Sequence, residues 1–346
     1  YAYQKLELLL KKSFTDKTKV TEIVHALTNV VNENPTVISH LKMWEVAQGN
    51  LTVEKFLAQF GHRATEEFEL AQPRWREDTS YIEQIVASFQ MNPETNPAYR
   101  IQSQEENKLQ AEKELNNLSK TRQKQIRRIL DLTRRYMPFR EKSKFYLMLG
   151  YELIRKALLE IDRRYNLGDG VFYLMIDELE IPFDRDGAMQ KISARRAERS
   201  KILHIELPDV IYSDALNQIG DPIPVEVHNE MEGTGISAGV ANGIAQVLTD
   251  PTKASIDQKN YVLVCPSTDP GWTPLFLGAA ALVMERGGVL SHGAVVAREY
   301  GIPAVAGISM ATKRIKSGQM VRVDGTRGIV SILNSNLEET GKNKDF

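Results

Sequence analysis

The sequence predicts a two-part chain, an all-α N-terminal domain followed by a compact mixed α/β module. Three observations carry this. The 346 residues exceed what one ordinary core organises, so two domains are the expectation. Apolar residues recur at helical spacing in most segments before about residue 225. Beyond Pro222 and Pro224 the pattern changes to period two with frequent glycines, the mark of short strands and tight turns.

The helical elements follow in order. Leu6 to Leu10 opens a first helix, and Thr21 to Val31 places apolar residues at i, i+3, i+4 and i+7. Thr52 to Phe60 starts at a good N-cap residue, Thr52, and stops at Gly61. The charged stretch 104–135 reads as one solvent-facing helix or two. Residues 142–165 are apolar on more than one face, which predicts a core helix ended by Gly168-Asp169-Gly170. Asp184 to Gly187 is a loop before a charged helix near 189–201. In the second part, Ile244 to Leu248, Tyr261 to Val264, Ala281 to Met284, Ala304 to Ala306, Met320 to Val323 and Ile329 to Leu333 read as strands. Asp324-Gly325 is a hairpin turn, and short helices are expected near 273–279 and 292–299. The predicted boundaries are 1–205 for the helical domain, 206–232 for a linker, 233–335 for the α/β module and 336–346 for a polar tail.

Composition excludes several classes. A formal net charge of -1 gives no global attraction to nucleic acid or anionic membrane. The basic residues of 104–135 are interleaved with glutamates, and no apolar run is long enough for a membrane span. A single cysteine, Cys265, fits a cytoplasmic protein, and no Cys/His grouping has metal-ligand spacing.

The chemistry concentrates between Met284 and Pro303. A strand ends at Met284, and Gly287-Gly288 permits a tight turn with close approach to the backbone. Ser291 is an N-cap residue, so His292 falls at the first position of the next helix, followed by Gly293. Free N–H groups and the helix dipole favour an anion there, and they keep a neutral, nucleophilic imidazole available near pH 7. Arg298 either lines a bound phosphate or pairs with Glu299 or another neighbour. A histidine that serves only packing is the alternative, and spacing alone leaves the two readings about even.

This run resembles the phosphohistidine signature of the mobile domain shared by phosphoenolpyruvate synthase, pyruvate phosphate dikinase and rifampin phosphotransferase. Thr268 to Phe276 resembles a second segment of that domain, so the resemblance covers 233–335. Phe60 to Arg63, Pro73 to Asp78, Arg140 to Phe145 and Gly170 to Leu174 resemble the helical substrate domain of rifampin phosphotransferase and its relatives. The resemblance implies a swivelling β/β/α phosphohistidine domain after an acceptor-binding helical domain. It implies that ATP is split to AMP and phosphate while His292 carries the β-phosphoryl group to a hydroxyl acceptor. The swivel would turn on the linker containing Gly220, Pro222 and Pro224. No ATP-grasp pattern is visible, so ATP and Mg²⁺ are expected on an ATP-grasp domain elsewhere in a longer chain or on a separate polypeptide. This chain is then a piece of the enzyme with no cofactor of its own. A phosphoenolpyruvate synthase-like piece acting on pyruvate, or a docking module without catalysis, are the other readings.

Arg140 and Lys144 stand at i and i+4 on one helix face, where like charges repel; an anion bound between them and a solvated helix face are the two readings. By resemblance they belong to the basic cluster of the acceptor site. His62, Arg63 and Tyr146 are candidate substrate contacts. Arg74, Trp75 and Arg76 read as a stacked, architectural cluster, Trp272 as a packing anchor and Asp269 as a helix cap.

Overall fold

A computed structural model of the chain describes residues 1–30, 34–180, 182–205, 213, 229–254 and 259–333. The linker glycine and prolines (Gly220, Pro222, Pro224) and the tail 336–346 lie outside the described residues.

The N-terminal part is all helix. It comprises α1 (Ala2–Lys11), α2 (Lys17–Thr28), α3 (Pro35–Ala47), α4 (Val53–Phe60), α5 (Ser80–Met91), α6 (Pro97–Asn116), α7 (Lys120–Tyr136), α8 (Phe139–Tyr165) and α9 (Arg185–Ile202). Their starts are written in the sequence. The side chains of Asp16, Asn34, Thr52, Asn96, Ser119 and Asp184 accept from the first free N–H groups of α2, α3, α4, α6, α7 and α9. The charged stretch 104–135 is two helices, broken where Ser119 caps α7. Gly61 ends α4 in a right-handed conformation, so its glycine is explained by space: an added Cβ would collide with the Leu57 carbonyl and Arg76.

The second part is an eight-stranded sheet ordered β1-β8-β7-β3-β4-β5-β6-β2. The strands are β1 (Glu230–Glu232), β2 (Thr234–Ser237), β3 (Val240–Val247), β4 (Tyr261–Cys265), β5 (Ala279–Met284), β6 (Ala304–Ala306), β7 (Met320–Asp324) and β8 (Ile329–Leu333). β3 to β6 run parallel, and the flanking pairs are antiparallel. Three short helices, α10 (Thr273–Phe276), α11 (His292–Tyr300) and α12 (Ala311–Arg314), connect them. β1 already begins within the stretch that the sequence assigns to the linker.

β4 and β5 are buried on both faces, which is why they are continuous apolar runs. Leu263, Cys265, Leu282 and Met284 point into one core, and Val262, Val264, Ala281 and Val283 into another. The first of these cores is shared: Val37, Met43, Phe56, Trp75 and Ile85 of the helical part pack with Phe276, Ala294 and Tyr300 of the sheet part. A separate core joins α1, α2, α6 and α7.

α8 departs from expectation. Tyr146, Leu147, Leu149, Leu153 and Ile154 are exposed, so it is not a core helix. Its buried stripe is instead Glu141, Met148, Glu152 and Arg155, a largely charged set that pairs with Arg140, Arg76 and Glu77. Apolar content alone does not reveal which face is covered.

Phe276 is fully buried where the two parts share a core. Phe276→Ala is expected to lower unfolding free energy by about 3–5 kcal/mol in denaturant titrations; a loss below about 1 kcal/mol would contradict this packing.

Candidate functional site

β5 delivers the chain to the loop of Gly287 and Gly288, which is exposed, with Gly287 at a φ of 144° that favours glycine. Ser291 Oγ accepts from the Ala294 N–H at 3.3 Å and starts α11, placing His292 at its first position. Gly293 is glycine for want of room: a Cβ would meet Thr268 Oγ1 and Met284 Sδ.

The His292 ring is 3% exposed and inserts between the two parts of the molecule. Its Nδ1 lies 3.0 Å from Glu141 Oε2 of α8, and its Nε2 lies 2.9 Å from Thr273 Oγ1 of α10. Glu141 is almost fully buried. Burial opposes its ionisation, but the His292 ring, with Arg140 and Arg63, outweighs burial and holds the carboxyl below its ordinary range. An ionised carboxylate only accepts, so in the neutral ring the proton is assigned to Nδ1. Nε2 is then unprotonated and accepts from the Thr273 hydroxyl.

Around this pair lies a connected polar network. Arg140 Nη1 donates to Glu141 Oε1 at 2.6 Å, while the Arg140 side chain remains 47% exposed. Thr36 Oγ1 donates to Glu141 Oε2 at 3.3 Å and accepts from Arg63 Nη1 at 3.2 Å. Arg63 Nε donates to Glu67 Oε1 at 2.6 Å, and Lys144 Nζ pairs with Glu67 Oε2 at 2.9 Å. Burial works against the Glu67 charge, yet Arg63 and Lys144 lower its pKa. The fold thus gathers His292, Ser291, Arg140, Lys144 and Arg63 around two buried carboxylates. The like charges of Arg140 and Lys144 are reconciled by Glu141 and Glu67.

Other expected site residues stand elsewhere. Arg298 does not line the loop: six residues along a helix set it about 120° around the axis from His292. Its Nη1 donates to the Ile236 carbonyl at 3.0 Å, and its guanidinium lies over the Tyr3 ring. His62 is buried edge-on against Phe145, and burial, then Arg63, lowers its pKa to about 4. Tyr146 is 66% exposed, touching Phe145 by its edge. Trp75 stacks with Phe56 and takes its cation from Arg63, not from its neighbours Arg74 and Arg76. Asp269 caps the turn of Gly271 and also accepts from the Glu66 N–H.

Sequence reading missed Glu141, Glu67, Thr36 and Thr273. The signal for Glu141 was present: it occupies the same helical stripe as Met148 and Glu152, where acids are out of place unless partnered.

The sheet unit, with its glycine loop and helix-terminal histidine, is docked on the helical unit. Residues 257–328 match the family of the PEP-utilising enzyme mobile domain, and residues 48–141 match the rifampicin phosphotransferase fourth domain. It is 33% identical over 297 residues to the rifampicin phosphotransferase of Bacillus subtilis (strain 168), covering 80% of this chain and 34% of that protein. It is 30% identical over 299 residues to the rifampicin phosphotransferase of Streptomyces sviceus, covering 81% and 34%. It is 27% identical over 329 residues to the prodigiosin synthesizing transferase PigC of Serratia marcescens, covering 89% and 36%. The chain spans about a third of the length of these relatives. Among the described residues, no helix is long and apolar enough to cross a membrane.

The site also predicts acid sensitivity. His40 is buried, with Nδ1 2.8 Å from the Tyr300 hydroxyl, and burial, then Arg63 and His292, lowers its pKa to about 3. Below pH ~6.5 the unfolded chain takes up a proton that the folded chain refuses, so stability present above that pH is lost as pH falls towards 3. Denaturant titrations between pH 7 and 4 should show a loss of up to about 1.4 kcal/mol per pH unit from this residue. His40→Asn should flatten that slope; an unchanged slope would count against a neutral, buried His40.

Proposed function

We propose that this chain is the carrier and acceptor part of a dikinase-type phosphotransferase. His292 Nε2 takes a phosphoryl group from ATP and passes it to a hydroxyl compound held by the helical unit. The observation that carries this is His292 at the start of α11 with Nδ1 pinned by Glu141 and Arg140, Arg63 and Lys144 grouped around it.

In the loading step Nε2 bonds to the β-phosphorus as its O–P bond to the α-phosphate breaks and AMP leaves; water then cleaves the β–γ bond, releasing the γ group as inorganic phosphate and leaving a single phosphoryl group on Nε2. In transfer, the acceptor oxygen bonds to phosphorus while the N–P pair returns to Nε2 and the hydroxyl proton leaves to solvent. The proton that Glu141 keeps on Nδ1 lets the ring depart as neutral imidazole. Arg140 and Lys144, each now held by a carboxylate, neutralise the transferring group when it competes for them. Positioning and charge stabilisation supply most of the catalysis in such reactions. ATP and Mg²⁺ belong to an ATP-grasp unit, in the same polypeptide or a separate one, in the cytoplasm. The buried ring must leave its seat to be loaded, and in this reading the hinge between the helical and sheet units is the part of the 206–232 linker that precedes β1.

The acceptor in this reading is large and apolar. Tyr146, Leu149 and Leu153 of α8 form an exposed apolar stripe on the helix that carries Arg140 and Lys144, and the relatives' names point to rifampicin.

The test mixes this chain with an ATP-grasp unit and ATP labelled at the β position. Label is expected on the protein and absent from His292→Ala; label surviving that substitution would refute the nucleophile. Arg140→Ala and Lys144→Ala should load normally but transfer to a rifamycin on the order of 100-fold more slowly. Unchanged transfer would remove both cations from the site.

A further inference from the structure

A second polar cavity, of about 600 Å³, opens between α2, α6, the end of β2 and the C-terminal end of α11. Its volume lies in the range of small-molecule sites. Its walls come from both parts of the chain, and it has no role in the chemistry of His292.

Two side chains in its lining, Arg298 and His25, are more than nine-tenths buried, and one nitrogen of Arg298 lacks a partner. Arg298 is 3% exposed, and its Nη2 has no hydrogen-bond partner among the described residues. No carboxylate among the described residues is recorded in ion-pair distance of it. Glu299, next in sequence, instead accepts from Asn34 Nδ2 at 2.7 Å, and burial together with the Glu141 charge raises its pKa well above the ordinary value. Arg298 is therefore a buried guanidinium without a counter-charge, an arrangement that is costly unless an anion completes it. His25 is the second donor. Its Nδ1 accepts from the Ala238 N–H at 2.9 Å, so in the neutral ring the proton is on Nε2. Burial and the nearby Arg298 keep that ring neutral. At the rim, Lys19 and Glu114 neutralise each other at 2.9 Å, and Asn107 and Gln110 offer amides.

We propose that this cavity binds a small oxyanion-bearing molecule, a carboxylate or phosphate monoester with a polar body, whose anionic oxygens meet Arg298 and His25. A ligand there touches both units and favours the docked arrangement over any in which the sheet unit has moved away.

The test follows the His25 ring by ¹⁵N NMR in the full chain labelled at histidine. Inorganic phosphate and acetate are titrated separately, with chloride at matched ionic strength as control. A saturable shift of His25 Nε2 with one or both probes and not with chloride is expected. Response to phosphate alone assigns a phosphate ester, and response to both assigns a general oxyanion site. Arg298→Gln should abolish the shift, and Gln110→Trp, at an exposed position on α6, should block entry. Absence of a saturable shift would overturn the proposal, as would an equal shift in Arg298→Gln. If Arg298→Gln does not fold, Gln110→Trp decides: a retained shift overturns the site. Because His25 reports locally, phosphate captured near Arg140 and Lys144 does not mimic the result.

Discussion

The structure turns on one contact, the buried pair between His292 of the sheet unit and Glu141 of the helical unit. A carboxylate removed from water is stable only if its oxygens are fully occupied. Glu141 meets that condition with three partners from three places in the sequence: the His292 ring, Arg140 and Thr36. The next shell repeats the pattern, with Glu67 shared between Arg63 and Lys144. Charge alternation therefore runs from the His292 ring to the helix surface, with Arg140, Arg63 and Lys144 each held by an acid.

Docking surrounds this pair with weaker but numerous contacts. Asn34 caps α3 with its oxygen and grips Glu299 with its nitrogen. The Tyr81 hydroxyl donates to the Gly271 carbonyl, and Arg100 donates to the carbonyls of Leu277 and Ala279. The apolar contribution comes from the shared core of α3 to α5 with α10 and α11. In a carrier that moves between sites, these contacts must separate and re-form, and hydrogen bonds to backbone carbonyls suit that, because water can replace each partner. The His292–Glu141 pair differs. Separation leaves its carboxylate in need of water or another cation, so the pair ties the chemical state of the ring to the position of the domain.

Much of the sheet unit was legible in the sequence because its signals are local. Strand periodicity located six strands, and Ser291 with the following glycine located the start of α11. β1 and β2 escaped because they gain their identity from pairing with β8 and β6. Residue type and position singled out His292, Arg140 and Lys144, which the fold brings into one polar network. It was not legible where function depends on contact across the chain: Glu141 and Thr273 meet the ring only after the two units dock. Arg298 illustrates the converse error. Its nearness in sequence suggested a phosphate contact, but helix geometry turns it to another face.

The central claim is that Glu141 fixes the tautomer of His292 and thereby makes Nε2 the reacting nitrogen. The most direct measurement is ¹⁵N NMR of the His292 ring in the full chain, at a pH where the ring is neutral. The account predicts a proton on Nδ1 and an unprotonated Nε2, with that preference lost in Glu141→Ala. A proton on Nε2 in the parent chain, or a tautomer indifferent to Glu141→Ala, would contradict it.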